Sequence, residues 1–163
     1  MFHTIYKILV FFILPMICIL IEKCVGKKHN KFPDVFELIC KWFLFWALGV
    51  SAFTAGLMQM FNPSYTANLL SVSTNDFIVI KELGYANFSM GILSILSLKW
   101  KTFRQPAAIS YGIFMLFCMA NHFTRLGDIN IDEIVSTVAD LWAVIIAVLV
   151  IARSSPEKYS KFK

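Results

Sequence analysis

A chain of 163 residues that is 58% hydrophobic and only 15% charged, with a mean hydropathy of +0.70, is not a water-facing globule; soluble domains are about a quarter charged. Its net charge of +5 therefore sits on an apolar body. At about 20 residues per crossing, the length holds a single domain, 1–163, of a few spanning helices and leaves no room for a second.

Five segments qualify as crossings, so the expected fold is an all-α integral membrane bundle with five transmembrane helices over about 2–21, 36–61, 77–98, 107–124 and 133–152. The first holds an unbroken apolar run over 8–14 with Pro15 in its middle, which predicts a kink. No small-x-small cleavage site follows it, and Lys23, Lys27, Lys28 and Lys31 form a stop-transfer flank, so this segment reads as a retained anchor. Ile17 and Lys23 precede Cys18 and Cys24 where lipoprotein processing wants a small residue, so lipidation is not expected.

The second segment opens with Trp42, Phe43, Phe45 and Trp46, a cluster suited to an interfacial belt. Gly49, Ala52, Gly56 and Gln59 follow at helical spacing and predict a close-packing seam that ends in an amide. Asn62-Pro63 closes the helix, and a polar loop over 64–76 leads to the third. A basic turn over 99–106, with Lys99, Lys101 and Arg104, is short enough only for a hairpin between antiparallel neighbours. The fourth segment is rich in Phe and Met and carries Asn121 and His122 near its end. Beyond a loop over 125–132, the fifth carries Asp140.

Lys23, Lys27, Lys28, Lys31, Lys41, Lys99, Lys101, Arg104, Arg153, Lys158, Lys161 and Lys163 flank the first and third connections and the tail, leaving only Lys7, Lys81 and Arg125 elsewhere. The positive-inside rule then places the N-terminus outside, the C-terminus in the cytoplasm, and the loops near Asn68 and Gly127 outside. The basic surplus is explained by an anionic inner leaflet, and no nucleic-acid surface is expected. None of the cysteines is placed for a structural disulfide in an oxidising compartment.

Polar residues inside the spans are the candidate site: Gln59, Glu82, Asn87, Asn121, His122 and Asp140. A charge in the hydrocarbon costs a few kcal/mol, about 2.5–3.5 on insertion scales, and normally faces the bundle interior with a partner. Counting rise per residue places Gln59, Glu82, Asn121, His122 and Asp140 in the outer half of the bilayer, with Asn87 near the midplane. We expect the third and fifth helices to face one another so that Glu82 and Asp140 border one outward polar cavity. Against this, such groups often only hold helices together, and Glu82 could pair with Arg125 or a protonated His122. Two sides of the third helix are legible: Glu82, Ala86, Ser89 and Leu93 on one, Gly84, Asn87, Gly91 and Ser94 on another. Metal-ligand spacing is lacking, and so are phosphate-binding, nucleophile and Cys-x-x-Cys motifs, so no metal or cofactor is expected.

The run from Glu82 through Gly84, Gly91, Arg104 and Ala107-Ala108 to His122 resembles the core hairpin of DoxX-like membrane proteins. WFLFWALGVSAFTAGLMQMFNPSYTAN followed by KELGYANFSMG also resembles an uncharacterised family of small bacterial membrane proteins in that neighbourhood. The resemblance implies a four-helix core, here with an additional first helix, redox or sulfur-metabolising partners, and functional roles for Glu82, Arg104 and His122.

The leading functional expectation is a bacterial inner-membrane, non-enzymatic module that binds a small amphipathic ligand or a partner subunit through the polar cavity. A membrane enzyme or redox-complex subunit acting on a lipid or quinone-type substrate, with Glu82, Asp140 and His122 as acid-base groups, is the alternative. A transporter working as a homodimer is a third reading, disfavoured by the absence of an inverted repeat. The expected partners are thus the bilayer, a small amphipathic ligand, and a protein partner or second copy.

Overall fold

Residues 2–28, 34–70, 77–123 and 131–153 are described in the computed structural model, and all regular structure among them is helical. Among the described residues there are six continuous helices: α1 (2–28), α2 (Val35–Phe61), α3 (Pro63–Leu70), α4 (Phe77–Leu96), α5 (Arg104–Phe123) and α6 (Ile131–Arg153), with a 3₁₀ turn at Lys101–Phe103. Four are long and apolar enough to cross a membrane: α1, α2, α4 and α6. α5 equals α4 at 20 residues but is not one of the four; Arg104, Gln105, Ser110, Asn121 and His122 dilute its hydropathy.

Pro15 does not end α1. Immediately before it, Leu9–Ile13 forms a π-helical segment, with the Leu14 N–H bonded to the Leu9 carbonyl. The wider turn moves aside the carbonyls that a proline ring would strike in a regular helix, and Pro15 is fully buried. α1 then runs on to Lys28, well past the expected end near residue 21. A second π-helical segment, Leu44–Val50, lies within α2 and packs against the first.

Capping sets both ends of α2. The Asp34 carboxylate accepts the Phe36 N–H at 3.0 Å. At the other end Asn62 leaves helical geometry, and Pro63 opens α3, where its missing N–H costs nothing. The loop expected over 64–76 is thus corrected: residues up to Leu70 are helical, and 71–76 lie outside the described residues.

Two close-packed helix pairs build the bundle. The predicted seam of α2 meets Gly84, Asn87, Gly91 and Ser94 of α4, all buried. A Cβ on Gly91 would stand 2.4 Å from the Phe53 nitrogen, and one on Gly56 2.6 Å from the Phe88 nitrogen, so only glycine permits this approach. The second pair is α5 on α6, through Ala107, Ala108, Tyr111, Ala139, Ala143 and Ala147. Between the pairs, Val10, Phe11, Leu44 and Leu48 fill the core. Phe43, expected in an interfacial belt, belongs to that core, its ring edge-on to Trp142 at 5.4 Å.

At one end, ion pairs converge on the start of α2. Glu22 accepts Lys41 Nζ and Trp42 Nε1, each at 2.7 Å. Glu37 accepts Arg104 at 2.6 Å and Lys101 at 2.7 Å, and Arg153 meets Asp34 at 2.5 Å. The starts of α2 and α5 therefore lie beside the ends of α1 and α6. Arg104 is buried and also reaches the Ser97 carbonyl at 3.4 Å, which ties the end of α4 to the same place.

Candidate functional site

A polar seam runs inside the bundle among α1, α2, α5 and α6, away from the ion-paired end. On α6, Ser136 and Asp140 are one turn apart and buried, with Asp140 roughly 20 Å along the axis from Arg153 at 1.5 Å per residue. On α5, Tyr111, Met115, Cys118 and His122 recur at steps of four, three and four, so they share one face. That face lies close to α6 because the contact residues are small: a Cβ on Gly112 would come 2.6 Å from the Ala147 Cβ.

His122 Nε2 stands 3.5 Å from Asp140 Oδ2, with the carboxylate the more enclosed of the two. From α1, Lys7 Nζ donates to Ser136 Oγ at 2.5 Å, one turn from Asp140, and its charge acts on that carboxylate. Cys118 and Tyr111 also lie within electrostatic reach of Asp140. Deeper in the seam, the Tyr111 and Ser51 hydroxyls are 3.2 Å apart, the Ser51 hydroxyl also bonds the Ala47 carbonyl, and Tyr6 pairs with Thr54. Thr54 in turn donates to the Val50 carbonyl at 2.8 Å. Hydroxyls thus lead from the carboxylate toward the π segment of α2, whose last residue is Val50.

The six predicted residues separate into groups. Gln59 and Asn87 meet directly, the Asn87 amide donating to Gln59 Oε1 at 2.8 Å between α2 and α4. His122 and Asp140 meet between α5 and α6. Asn121 is exposed near the end of α5. Glu82 is exposed on the outer face of α4 and reaches neither pair. The expected arrangement of Glu82 and Asp140 around one cavity is therefore corrected. α4 turns its Gly84, Asn87, Gly91 and Ser94 side to α2, and that choice rotates Glu82 outward. Arg125, the alternative partner for Glu82, lies outside the described residues.

Lys7, Tyr6, Ser51 and Tyr111 were not anticipated, and Ser136, although on the same helical stripe as Asp140, was not among the expected site residues. One signal existed for Lys7, which is among the three basic residues that the topology leaves unexplained. Glu37 was missed as the partner of Arg104, although it stands one turn into α2 where an acid suits the helix dipole. Among the described residues no group of three or more His, Cys, Asp or Glu side chains could hold a metal ion.

Fold and polar seam together define a small helical protein with four helices long and apolar enough to cross a membrane and ionisable groups enclosed in the bundle. Its family is shown by sequence: the chain belongs to DUF6790, a family of unknown function whose profile matches residues 6–159. No curated protein and no solved structure matches the chain significantly.

Proposed function

We propose that the protein is a five-span module of the bacterial inner membrane that binds a small amphipathic ligand at the Lys7, Ser136, Asp140 and His122 cluster. The observation that carries this reading is Asp140, a carboxylate enclosed in an apolar bundle beside a lysine and a histidine drawn from two other helices. Spanning a membrane needs none of these groups, and enclosing a charge there is costly. Amphipathic ligands suit the setting because the polar seam is bordered by apolar helix faces.

Support for five spans comes from α5. It is paired with Glu37 at its start and with Asp140 near its end, so it runs the length of the bundle beside α6. Its outward residues Ile109, Ile113, Leu116 and Phe117 are exposed and apolar, as a lipid-facing stripe would be. Five alternating spans place the lysine-rich end in the cytoplasm and the N-terminus outside. The DoxX-like relation is part of the same reading: of the positions it carries over, Arg104 pairs with Glu37 and His122 meets the Asp140 carboxylate across helices, and the third, Glu82, faces outward.

The second reading, an enzyme or redox-complex subunit acting on a lipid or quinone-type substrate, is favoured by the imidazole–carboxylate pair alone, a combination suited to moving protons. Purification in mild detergent and mass spectrometry of co-purifying small molecules tests the proposal, comparing wild type with Asp140→Asn and with the outward Glu82→Gln. Loss of one lipid-like species in Asp140→Asn, with the fold intact and the species retained in Glu82→Gln, is expected. A destabilised Asp140→Asn with an unchanged set of small molecules would mean that the cluster only holds helices together.

A further inference from the structure

The outer face of α4 is neither purely lipid-like nor paired. Ile78, Tyr85 and Ile92 recur every seven residues and are 72%, 55% and 37% exposed, a seam of the kind that a second helix covers in a coiled coil. Ser89 lies on the same line, and its hydroxyl is turned back onto the Tyr85 carbonyl at 2.8 Å, leaving a small, satisfied surface. Lys81 and Glu82 flank the line on opposite sides, since successive residues are about 100° apart around a helix. Both are exposed, and neither has an ion-pair or hydrogen-bond partner among the described residues.

We propose that this face is the contact between two copies of the chain, packed α4 against α4 in parallel about a two-fold axis along the membrane normal. The charges argue for a second copy in particular. In a two-fold pair the same residue falls on opposite flanks of the two helices, so Lys81 of each copy faces Glu82 of the other, at one depth. Two ion pairs form from one adjacent pair of residues. An unrelated partner would need to supply an acid and a base in that same arrangement, whereas this chain already carries both. A carboxylate on a lipid-facing surface of a span is otherwise costly, and pairing removes that cost. Ser89 lets the backbones approach below the charges. Neither the seam nor the charges touch the Asp140 cluster, so the contact stands apart from the proposed binding role.

Cysteine cross-linking in native membranes tests it, on a background with Cys18, Cys24, Cys40 and Cys118 replaced by alanine. Tyr85→Cys is expected to give a disulfide-linked dimer, and Ile113→Cys, equally outward but on α5, is not. Lys81→Glu and Glu82→Lys should each lower the dimerisation constant roughly tenfold by setting like charges face to face. The double reversal should restore it, since the pairs are then merely exchanged. No cross-link at residue 85, cross-linking to a different protein, or a double variant as weak as the singles would each overturn the proposal. The fold of every variant is followed by thermal stability, which these exposed positions should leave unchanged.

Discussion

Replacing Gly91 by alanine sets two effects of opposite sign against each other. Alanine is the better helix former, by about 1 kcal/mol in an exposed helix interior, so propensity alone predicts stabilisation. The structure reverses the sign. The added methyl would lie 2.4 Å from the Phe53 nitrogen and 2.7 Å from its Cα, both backbone atoms that no side-chain rotation can remove. α2 and α4 would have to part by about 1 Å, weakening dispersion along the whole seam, and overpacking of this kind costs about 1–3 kcal/mol or more. After the propensity gain, a net loss of about 1 kcal/mol is expected. Gly49 is the internal comparison: a Cβ there would stand 3.1 Å from the Ile95 Cγ1 and 3.2 Å from the Ile95 nitrogen, contacts that a shift of a few tenths of an ångström relieves. Gly49→Ala should stay within about 0.5 kcal/mol of wild type. Reversible unfolding in mixed micelles, titrated with a denaturing detergent, measures both. A Gly91→Ala protein as stable as wild type, or a Gly49→Ala protein less stable than Gly91→Ala, would refute the packing argument.

Four further outcomes are expected. Glu37→Gln leaves Arg104 buried without its carboxylate and should lower stability by about 1–3 kcal/mol, less than for a fully enclosed pair because Glu37 is partly exposed. Lys101→Ala, at the exposed arm of the same cluster, should change stability by under about 0.5 kcal/mol in the same titration. Lys7→Met removes the donor to Ser136 and should cost about 1 kcal/mol. Cysteine probes at 101 and 65 should label from opposite sides of the membrane. Labelling of 101 by an impermeant reagent on intact cells would invert the proposed orientation.

Apolar runs and small residues were the legible part of this fold. The apolar run over 8–14 and the Gly49, Ala52, Gly56, Gln59 seam identify helices and a packing face without knowledge of the neighbour, because length and spacing alone carry that information. The neighbour itself was also legible in the Gly84, Asn87, Gly91, Ser94 stripe. Favouring the acid over that stripe turned α4 the wrong way. A carboxylate near the end of a span can stay at the surface, whereas glycines at helical spacing have no comparable reason to face lipid. The pairs that join distant segments, Lys7 with Ser136 and Glu37 with Arg104, were not legible. They depend on the relative rotation of helices, which no single helix pattern contains. The π segments were equally hidden, though Pro15 marks where the first should fall.

Those two π segments act as phase shifters. Each fits about one more residue into its stretch than an α-helix of the same length, so side chains after it are displaced by about 100° from where an unbroken helix would carry them. For α2 this means that the sequence before residue 44 and the sequence after residue 50 are in different angular registers. Glu37 addresses α5 in one register, while Ser51, Thr54, Gly56 and Gln59 address Tyr111, α1 and α4 in the other. A single-residue deletion within 44–50 that restored a regular helix would therefore uncouple the ionic end from the rest of α2, although Glu37, Ser51, Thr54 and Gln59 would all still be present.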